Sequence, residues 1–319
     1  MAADEKTVPA ELAGPLDRAV RALWGVSWGK ARAWIEAGKV RVAGSVVRDP
    51  TARVAAGAGL VMDQRAPRKE APAGGSLDVV HADAHVIVVG KPPGVSTVPF
   101  VSERARTPSG HAGDGESDVD TLEARVRGWL ESKAGTRGRG RPALGIVHRL
   151  DKETSGLVVF TRSWLAKQGL ASQFRHHTVH RRYLAIAHGD VRPRTIRSFL
   201  MENRGDGLRG SARGTPPPSA REAITHVERI EALAGATLVG CRLETGRTHQ
   251  IRIHLSESGH PIVGERVYVR GFAGPLIEAP RLMLHAAELG FVHPATEREM
   301  RWELPMPDDM RAVVERLRR

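Results

Sequence analysis

The amino-acid sequence predicts an α+β protein of two domains, the larger built on a mostly antiparallel mixed β-sheet flanked by helices and loops. Its 319 residues exceed what one compact domain usually contains, and 41% of them are hydrophobic, enough for a sizeable core. Strand-like apolar runs separated by turns dominate the second part of the chain, where long helical patterns are few. A polar, Pro/Gly-rich segment at 64–76 has the composition of an interdomain linker.

The N-terminal region predicts a small domain over 14–63 that follows a flexible tail at 1–13. Apolar side chains recur with helical spacing from Leu16 to Trp24. Ser27 can cap a second helix, which Gly38 would end. Short β-like runs follow, the first two joined by a turn. The expected elements are helices at 16–24 and 28–37 and strands at 39–42, 45–47 and 54–62.

This small domain is basic, since residues 16–63 contain eight Lys or Arg against four Asp or Glu, a net charge of +4. Five features of this domain carry a resemblance to a known family: Leu16-Asp17-Arg18, Ser27, Ala31-Arg32, the stretch 35–44 and Val54. With these it resembles the αL-type RNA-binding domain named after small-subunit ribosomal protein four. It departs from that family at Trp28, where Arg is usual after Ser, and at Ala43, where Asn is expected. A merely solvated basic surface is the alternative interpretation. The residues expected to contact RNA are Lys30, Arg32 and Lys39.

The larger domain is expected over 77–319. Two segments have the composition of surface insertions, a Ser/Gly/acid-rich one near 101–118 and a Gly/Pro-rich one near 203–221 that cannot form the interior of a strand. A basic run at 135–142 could hold phosphates or could simply be solvated. The expected strands are 86–89, 156–160, 182–187, 223–231, 237–243 and 249–255.

Charge and composition indicate the class of partner. Lys and Arg exceed Asp and Glu by 48 to 36, which gives a net charge of +12 and favours a polyanion, most simply nucleic acid. No apolar run of eighteen residues, basic amphipathic helix or signal peptide is recognisable, so we expect a cytoplasmic protein without a membrane partner. We also expect a monomer. The single cysteine, Cys241, sits in an apolar alternation and is expected to be a buried strand residue.

A single carboxylate stands out, Asp151, which lies in the basic run His148-Arg149-Leu150-Asp151-Lys152. The segment Thr154-Ser155-Gly156 and an apolar strand follow directly. An acid in this position could stay ionised beside a polyanion and act in catalysis. It could equally satisfy backbone donors in a turn, and the local sequence does not decide between the two.

Residues 249–255 provide possible partners for this acid. The alternation predicts a strand with Ile251, Ile253 and Leu255 on one face and Gln250, Arg252 and His254 on the other. The second set suits bases and phosphates, although a strand facing water would alternate in the same way. Arg252 could pair with a carboxylate and keep it deprotonated.

Tyr183 shares a predicted strand face with the small residues Ala185 and Ala187, which leaves room for its ring to stack on a planar group. Packing against a neighbouring core strand is the alternative interpretation, and the local sequence by itself favours it. No metal or organic cofactor is expected. The histidines in His176-His177-x-x-His180 lack an interleaved acid or cysteine, and phosphate-binding Gly-rich signatures are missing.

Taken together, the ordered motifs resemble the RluA family of pseudouridine synthases over roughly residues 77–305. With the preceding αL-type domain, the chain resembles the two-domain members that modify large-subunit ribosomal RNA. Glu265 stands where most relatives have Asp, and 95–100 is not the common segment. The motifs are Lys91-Pro92-Pro93-Gly94, 145–157, Tyr183-x-Ala185, 245–254 and 259–265.

The resemblance implies a cofactor-free isomerisation of uridine to pseudouridine in RNA after the base leaves its stack. It implies Asp151 as the catalytic aspartate, Arg252 as its pairing partner and Tyr183 as the aromatic residue that stacks on uracil. Arg149 would fill the space of the flipped base, and Ile251 or Leu255 would form an apolar wall. Further residues assigned to substrate or RNA binding are His148, Thr154, Arg247, His249 and Gln250.

Three alternatives remain open at this point: transfer RNA as the substrate, a non-catalytic RNA-binding assembly factor, and a carboxylate-based glycosidic hydrolase. A hydrolase needs a second carboxylate to activate water, and Glu153 and Glu244 are the nearby candidates.

Overall fold

The structure is a computed structural model that describes residues 4–36, 38–47, 52–63, 77–99, 120–134, 143–204 and 207–318. The expected linker at 64–76, the insertion at 101–118 and the basic run at 135–142 lie outside the described residues. The chain divides into two compact units, the larger of which comprises Leu77–Val98 and Asp120–Arg319. Among the described residues, no helix is both long and apolar enough to cross a membrane.

The smaller unit packs two helices on short antiparallel strands. A four-stranded sheet has the order β1-β6-β3-β4, and β2 pairs with β5. Its elements are β1 (Asp4–Thr7), a 3₁₀ turn (Ala10–Leu12), β2 (Gly14–Pro15), α1 (Leu16–Trp24), α2 (Trp28–Glu36), β3 (Val40–Val42), β4 (Ser45–Val46), β5 (Arg53–Val54) and β6 (Gly59–Met62).

The structure corrects two expectations for this unit. The expected strand at 54–62 forms as two separate strands, because β5 pairs with β2 whereas β6 pairs with β1 and β3. The hydroxyl of Ser27 accepts a hydrogen bond from the backbone N–H of Lys30 at 3.3 Å and caps α2. The expected tail at 1–13 is wrong for residues 4–12, because β1 pairs with β6 and Val8 is buried in the unit's core. The polar sequence of β1 concealed this strand, since it lies at the edge of the sheet and mostly faces solvent.

The larger unit is built on an eleven-stranded sheet of order β13-β12-β14-β15-β11-β16-β10-β8-β7, with β17 paired to β16 and β9 to β10. All pairings are antiparallel except that of β10 with β16. The expected α+β class with a mostly antiparallel sheet is therefore confirmed. The elements are β7 (Asp78–Ala82), β8 (Val86–Lys91), α3 (Leu122–Ala134), β9 (Gly145–Ile146), β10 (Ser155–Thr161), α4 (Trp164–Arg175), β11 (His180–His188), β12 (Arg194–Met201), β13 (Gly210–Ser211), β14 (Arg221–Leu233), β15 (Ala236–Leu243), α5 (Gln250–Glu257), β16 (Leu284–Val292), β17 (Glu299–Glu303) and α6 (Asp308–Leu317).

The centre of the sheet is covered on both faces, which explains the continuous apolar run of β10. Val158 and Phe160 belong to the core cluster that includes side chains of α3 and α6. Leu157 and Val159 point to the opposite face and pack in a second cluster with α4. Gly156 lets β10 and β16 approach, since its φ is +122° and a Cβ would lie 2.3 Å from the carbonyl oxygen of Ala286.

Five of the six expected strands of the larger domain form, and Cys241 is buried in β15 as expected. The expected strand at 249–255 is wrong, because this segment forms the helix α5. Ile251 and Leu255, four residues apart, reach the main core, whereas Ile253 packs into a separate cluster. A short helix that is buried on two sides alternates in sequence much as a strand does, so the pattern alone could not separate them.

Candidate active site

The predicted catalytic residues converge on a small pocket of about 60 Å³ in the larger unit. Five segments meet there: the loop before β10, the strands β11 and β16, the end of β15, and the start of α5 with the loop that precedes it. The lining residues are Arg149, Leu150, Asp151, Thr154, Tyr183, Leu243, Arg247, His249, Gln250, Ile251, Arg252 and Leu284.

The backbone around Asp151 is fixed on both sides. The hydroxyl of Thr97 donates to the carbonyl of Leu150 at 2.9 Å and accepts from its N–H at 3.1 Å. On the other side, the carbonyl of Lys152 accepts from the Lys91 ammonium at 2.8 Å and from the Gly94 N–H at 2.8 Å. The carboxylate of Asp151 therefore projects from a rigid loop, and its side chain remains 20% exposed.

Lys91 is a structural residue that the sequence reasoning left without a role. Its ammonium group is buried and also donates to the carbonyls of Pro92 at 3.0 Å and Val95 at 2.8 Å. Burial lowers the pKa of Lys91 to about 7, although the negative charges of Glu153 and Asp151 raise it. Three acceptors for three donors explain why a lysine can be enclosed here. The motif at 91–94 thus supports the aspartate loop.

Arg252 lies beside Asp151, as expected from the sequence, with 3.4 Å between its Nη1 and the Oδ2 of the aspartate. Its closer partner is Glu265, whose two oxygens accept from Nε at 2.7 Å and from Nη2 at 2.8 Å. Burial raises the pKa of Glu265, but hydrogen bonds from Arg252 and from the backbone of Val267 and Tyr268 outweigh it, so that the pKa is lowered. Glu265 therefore remains charged and orients the guanidinium.

His249 forms a second contact on the aspartate. It precedes α5 with a left-handed backbone (φ 59°), and its Nε2 lies 3.8 Å from Oδ2 of Asp151. Its Nδ1 lies 2.7 Å from the hydroxyl of Tyr268, whose ring also contacts the guanidinium of Arg252 at 5.2 Å. Burial lowers the pKa of His249, against the raising effect of Asp151. Neither Tyr268 nor Glu265 was proposed as a site residue from the sequence, because no local pattern indicates their contacts with His249 and Arg252.

Tyr183 lies in β11, next to a register shift between Arg182 and Tyr183, and is 9% exposed. It belongs to the main core cluster, as the packing interpretation expected, and its side chain also lines the pocket. Burial raises the pKa of its phenol, which therefore stays protonated at neutral pH.

Four further residues of the expected set lie around the carboxylate. Arg149 is exposed at the pocket and has no partner among the described residues. Arg247 donates through Nε to the carbonyl of Glu222 at 2.9 Å, and Ile251 forms an apolar wall. The hydroxyl of Thr154 is buried in the pocket lining and finds no hydrogen-bond partner in the described part of the chain.

Three residues of the expected set have structural roles instead. The amide of Gln250 is used inside the protein, since it accepts from Thr245 and Arg247 and donates to Ile224 and Thr225 at 2.8 to 3.0 Å. Leu255 is buried in the core and does not line the pocket.

His148 also turns inward. Its Nε2 accepts from the backbone N–H of Val159 at 3.0 Å, and its ring stacks on Phe174 with 4.7 Å between centroids. Burial lowers the pKa of His148 to about 3, so the ring is neutral and offers no charge to a phosphate.

The smaller unit presents a basic aromatic surface on its helices. Lys30 lies over the ring of Trp34 at 5.2 Å, and Arg32 pairs with the nearly buried Asp17 at 2.8 Å. Trp28 is 44% exposed and has the guanidinium groups of Arg21 and Arg32 at 5.1 and 5.8 Å from its ring. Lys39 directly precedes β3 and is half-buried. The departure from the family at Trp28 thus adds an exposed aromatic ring between two cations.

Comparisons with known proteins give two family matches. A model described as RNA pseudouridylate synthase matches residues 85–257, and a model of the S4 domain matches residues 15–59. Ribosomal large subunit pseudouridine synthase D of Zymomonas mobilis is 33% identical over 333 residues, which cover 99% of this chain and 98% of that protein. An uncharacterized RNA pseudouridine synthase of Bacillus subtilis, YlyB, is 36% identical over 247 residues, 76% of this chain and 73% of that protein.

A solved structure, human RNA pseudouridylate synthase domain containing 4, is similar in fold. It aligns with a TM-score of 0.58 at 22% identity and covers 76% of this chain and 93% of its own.

Proposed function

Since this chain belongs to the RNA pseudouridylate synthase family and carries an S4 domain, we propose that it isomerises uridine to pseudouridine in large-subunit ribosomal RNA. The observation that carries the proposal is the position of Asp151, held on a rigid loop between Arg252 and His249 in a pocket that Tyr183 lines. Ribosomal RNA as the substrate is supported by the name of the relative from Zymomonas mobilis, which matches over nearly its full length.

The reaction requires little from the protein beyond one ionised acid. The bond between C1′ of ribose and N1 of uracil breaks, the base turns, and C1′ bonds to C5. N1 gains a proton and C5 loses one, so atoms balance and no electrons are exchanged with a cofactor.

Asp151 suits the bond-breaking step in either of two ways. Its carboxylate can attack C1′, or it can remove a proton from the ribose. Both require the charged form, which the adjacent guanidinium of Arg252 favours. Because Glu265 holds Arg252 from the far side, the cation keeps its position when the carboxylate reacts.

Tyr183 is proposed to hold the base by stacking. Its raised pKa favours the neutral phenol, which supports a contact surface rather than a phenolate base.

The hydroxyl of Thr154, which has no hydrogen-bond partner among the described residues, is proposed to bind a polar atom of the uridine, since a buried donor without an acceptor is rare. Asp151 can take the proton that leaves C5.

The target base must leave its stack to reach this pocket. Arg149 is exposed at the pocket, and its planar guanidinium can stack in the space that the base vacates. Sequence-specific recognition in RNA mostly uses unpaired bases, so a loop uridine is the expected target.

A hydrolase would need a second carboxylate to activate water. Asp151 is the one carboxylate among the described residues that line the pocket, and neither candidate from the sequence reaches it. Glu244 pairs with His226 at 2.5 Å, and Glu153 lies on the exposed side of the loop.

Mapping pseudouridines in ribosomal and transfer RNA from cells with and without this protein tests the proposal. We expect one or more positions in large-subunit ribosomal RNA to revert to uridine when the protein is absent. Loss of pseudouridine confined to transfer RNA would identify transfer RNA as the substrate. An unchanged pseudouridine map would favour a role in RNA binding without catalysis. Abasic sites produced by the purified protein would identify a hydrolase.

A further inference from the structure

We propose that a second groove of the larger unit, beside α5, binds phosphates of the single-stranded RNA that flanks the target uridine. The groove has a volume of about 740 Å³ and is much larger than the catalytic pocket. Its walls are the turn after β13, the C-terminal end of α5 and the loop 267–274. This proposal takes the identity of the RNA from the proposed function and adds a site to it.

The charge of the groove fits a polyanion. Arg213 and Arg270 line it, are exposed, and have no partner among the described residues. Among the described residues of the lining, Glu257 is the one acidic residue, and its charge is engaged by Arg204 at 3.6 Å and by the N–H of Ser211 at 3.0 Å. Two unpaired guanidinium groups therefore remain for a ligand, and phosphate oxygens match their fork geometry.

The groove is connected to the active site through Tyr268. One side of this residue lines the groove, while its hydroxyl contacts His249 and its ring contacts Arg252. Ser256 donates to the carbonyl of Tyr268 and fixes the loop on α5. From Arg252 to Glu257 the helix advances about 7.5 Å, so one RNA strand can occupy both places.

The groove also accounts for a segment that the sequence analysis left without a role. The Gly/Pro-rich stretch near 203–221 supplies Arg204 and Arg213. Its short strand β13 pairs with β12, and the Glu257 contacts with Ser211 attach it to the end of α5. The described part of the insertion is thus attached to α5, with Arg204 and Arg213 lining the groove.

The test replaces both unpaired arginines in the full-length protein, Arg213→Gln with Arg270→Gln. Binding to an RNA fragment that carries the unmodified target uridine is measured over a series of KCl concentrations, and turnover is measured at saturating RNA. We expect a severalfold weaker affinity and a slope of log K against log[salt] reduced by about 1.4, at ~0.7 for each single-strand phosphate contact. We expect kcat to be unchanged, which also shows that the variant folds.

Arg192→Gln with Arg298→Gln is the matched control, because both side chains are exposed, have no partner among the described residues and lie outside the groove. An unchanged slope in the groove variant, or an equal loss in the control, would overturn the proposal. Failure of the proposed function is seen separately, as wild-type protein that binds the fragment but forms no pseudouridine in it.

Discussion

At the scale of single residues, the position of Arg252 depends on two carboxylates, and Glu265 makes the shorter contacts. The side chain of Glu265 is 1% exposed and also accepts from the N–H groups of Arg266 at 3.0 Å and Val267 at 2.8 Å. A buried charge held by this many donors has one stable orientation. Glu265 therefore acts through Arg252, as a positioning residue for the aspartate.

Glu265→Gln is predicted to lower the single-turnover rate by about tenfold to a hundredfold, because small displacements in an active site cost rates of this size. It should also destabilise the fold by about 3 kcal/mol, since Arg252 loses its buried counter-charge. RNA affinity should be retained. The measurements are a single-turnover assay, thermal unfolding and a binding titration.

Glu228→Gln is the matched control for this variant, because Glu228 also pairs with an arginine but is 56% exposed. It should leave both rate and stability close to wild type. A Glu265→Gln protein with the wild-type rate would contradict the positioning role.

At the scale of elements, three strands are joined by one carboxylate. Glu288 in β16 accepts from His180 and Arg182 in β11 and from Arg301 in β17. Burial raises its pKa, but these hydrogen bonds outweigh burial and lower the pKa from 4.5 to about 2. Since the folded pKa is depressed, the stabilisation is present above pH 4.5 and is lost as the pH falls towards 2.

Glu288→Gln should therefore lower the Tm at pH 7, and the difference from wild type should shrink as the pH falls from 4.5 to about 2. Thermal unfolding over this pH series provides the measurement. A Tm difference that stays constant across the series would show that Glu288 has no part in the acid sensitivity of the sheet.

Elements with an unambiguous local pattern could be predicted from the sequence. The buried runs of β8 and β10 and the stripe of α1 are examples, because each has a single consistent interpretation. The segment of α5 does not, and its prediction as a strand was wrong. Arg252 nevertheless lies 3.4 Å from Asp151, a pairing that the family resemblance implied.

The rest of the site depends on distant contacts. Glu265, Tyr268 and the carbonyl acceptors of Lys91 come together only in the folded chain. Gln250 and His148 look like RNA ligands in sequence, since nothing local indicates that their hydrogen bonds are used internally.

At the scale of the whole molecule, both compact units carry cationic side chains that suit a polyanionic ligand such as RNA. The net charge of +12 is distributed over both, and the smaller unit adds the exposed ring of Trp28 between Arg21 and Arg32. Stacking on an aromatic ring tolerates any base, so we propose that this surface adds affinity for RNA rather than selecting the uridine.

Deleting residues 1–70 is therefore expected to weaken RNA binding and to reduce its dependence on salt, while the larger unit keeps the catalytic set. Binding titrations at several salt concentrations measure both effects. An unchanged salt slope would show that the smaller unit does not contact the RNA.

The most direct test of the account follows tritium released from C5 of uridine in large-subunit ribosomal RNA, with wild-type protein and with Asp151→Asn. The substitution keeps the size of the side chain and removes its charge, so the variant should bind RNA about as tightly as wild type and release no tritium. Tritium release by Asp151→Asn at the wild-type rate would contradict the assignment of the reaction to this carboxylate.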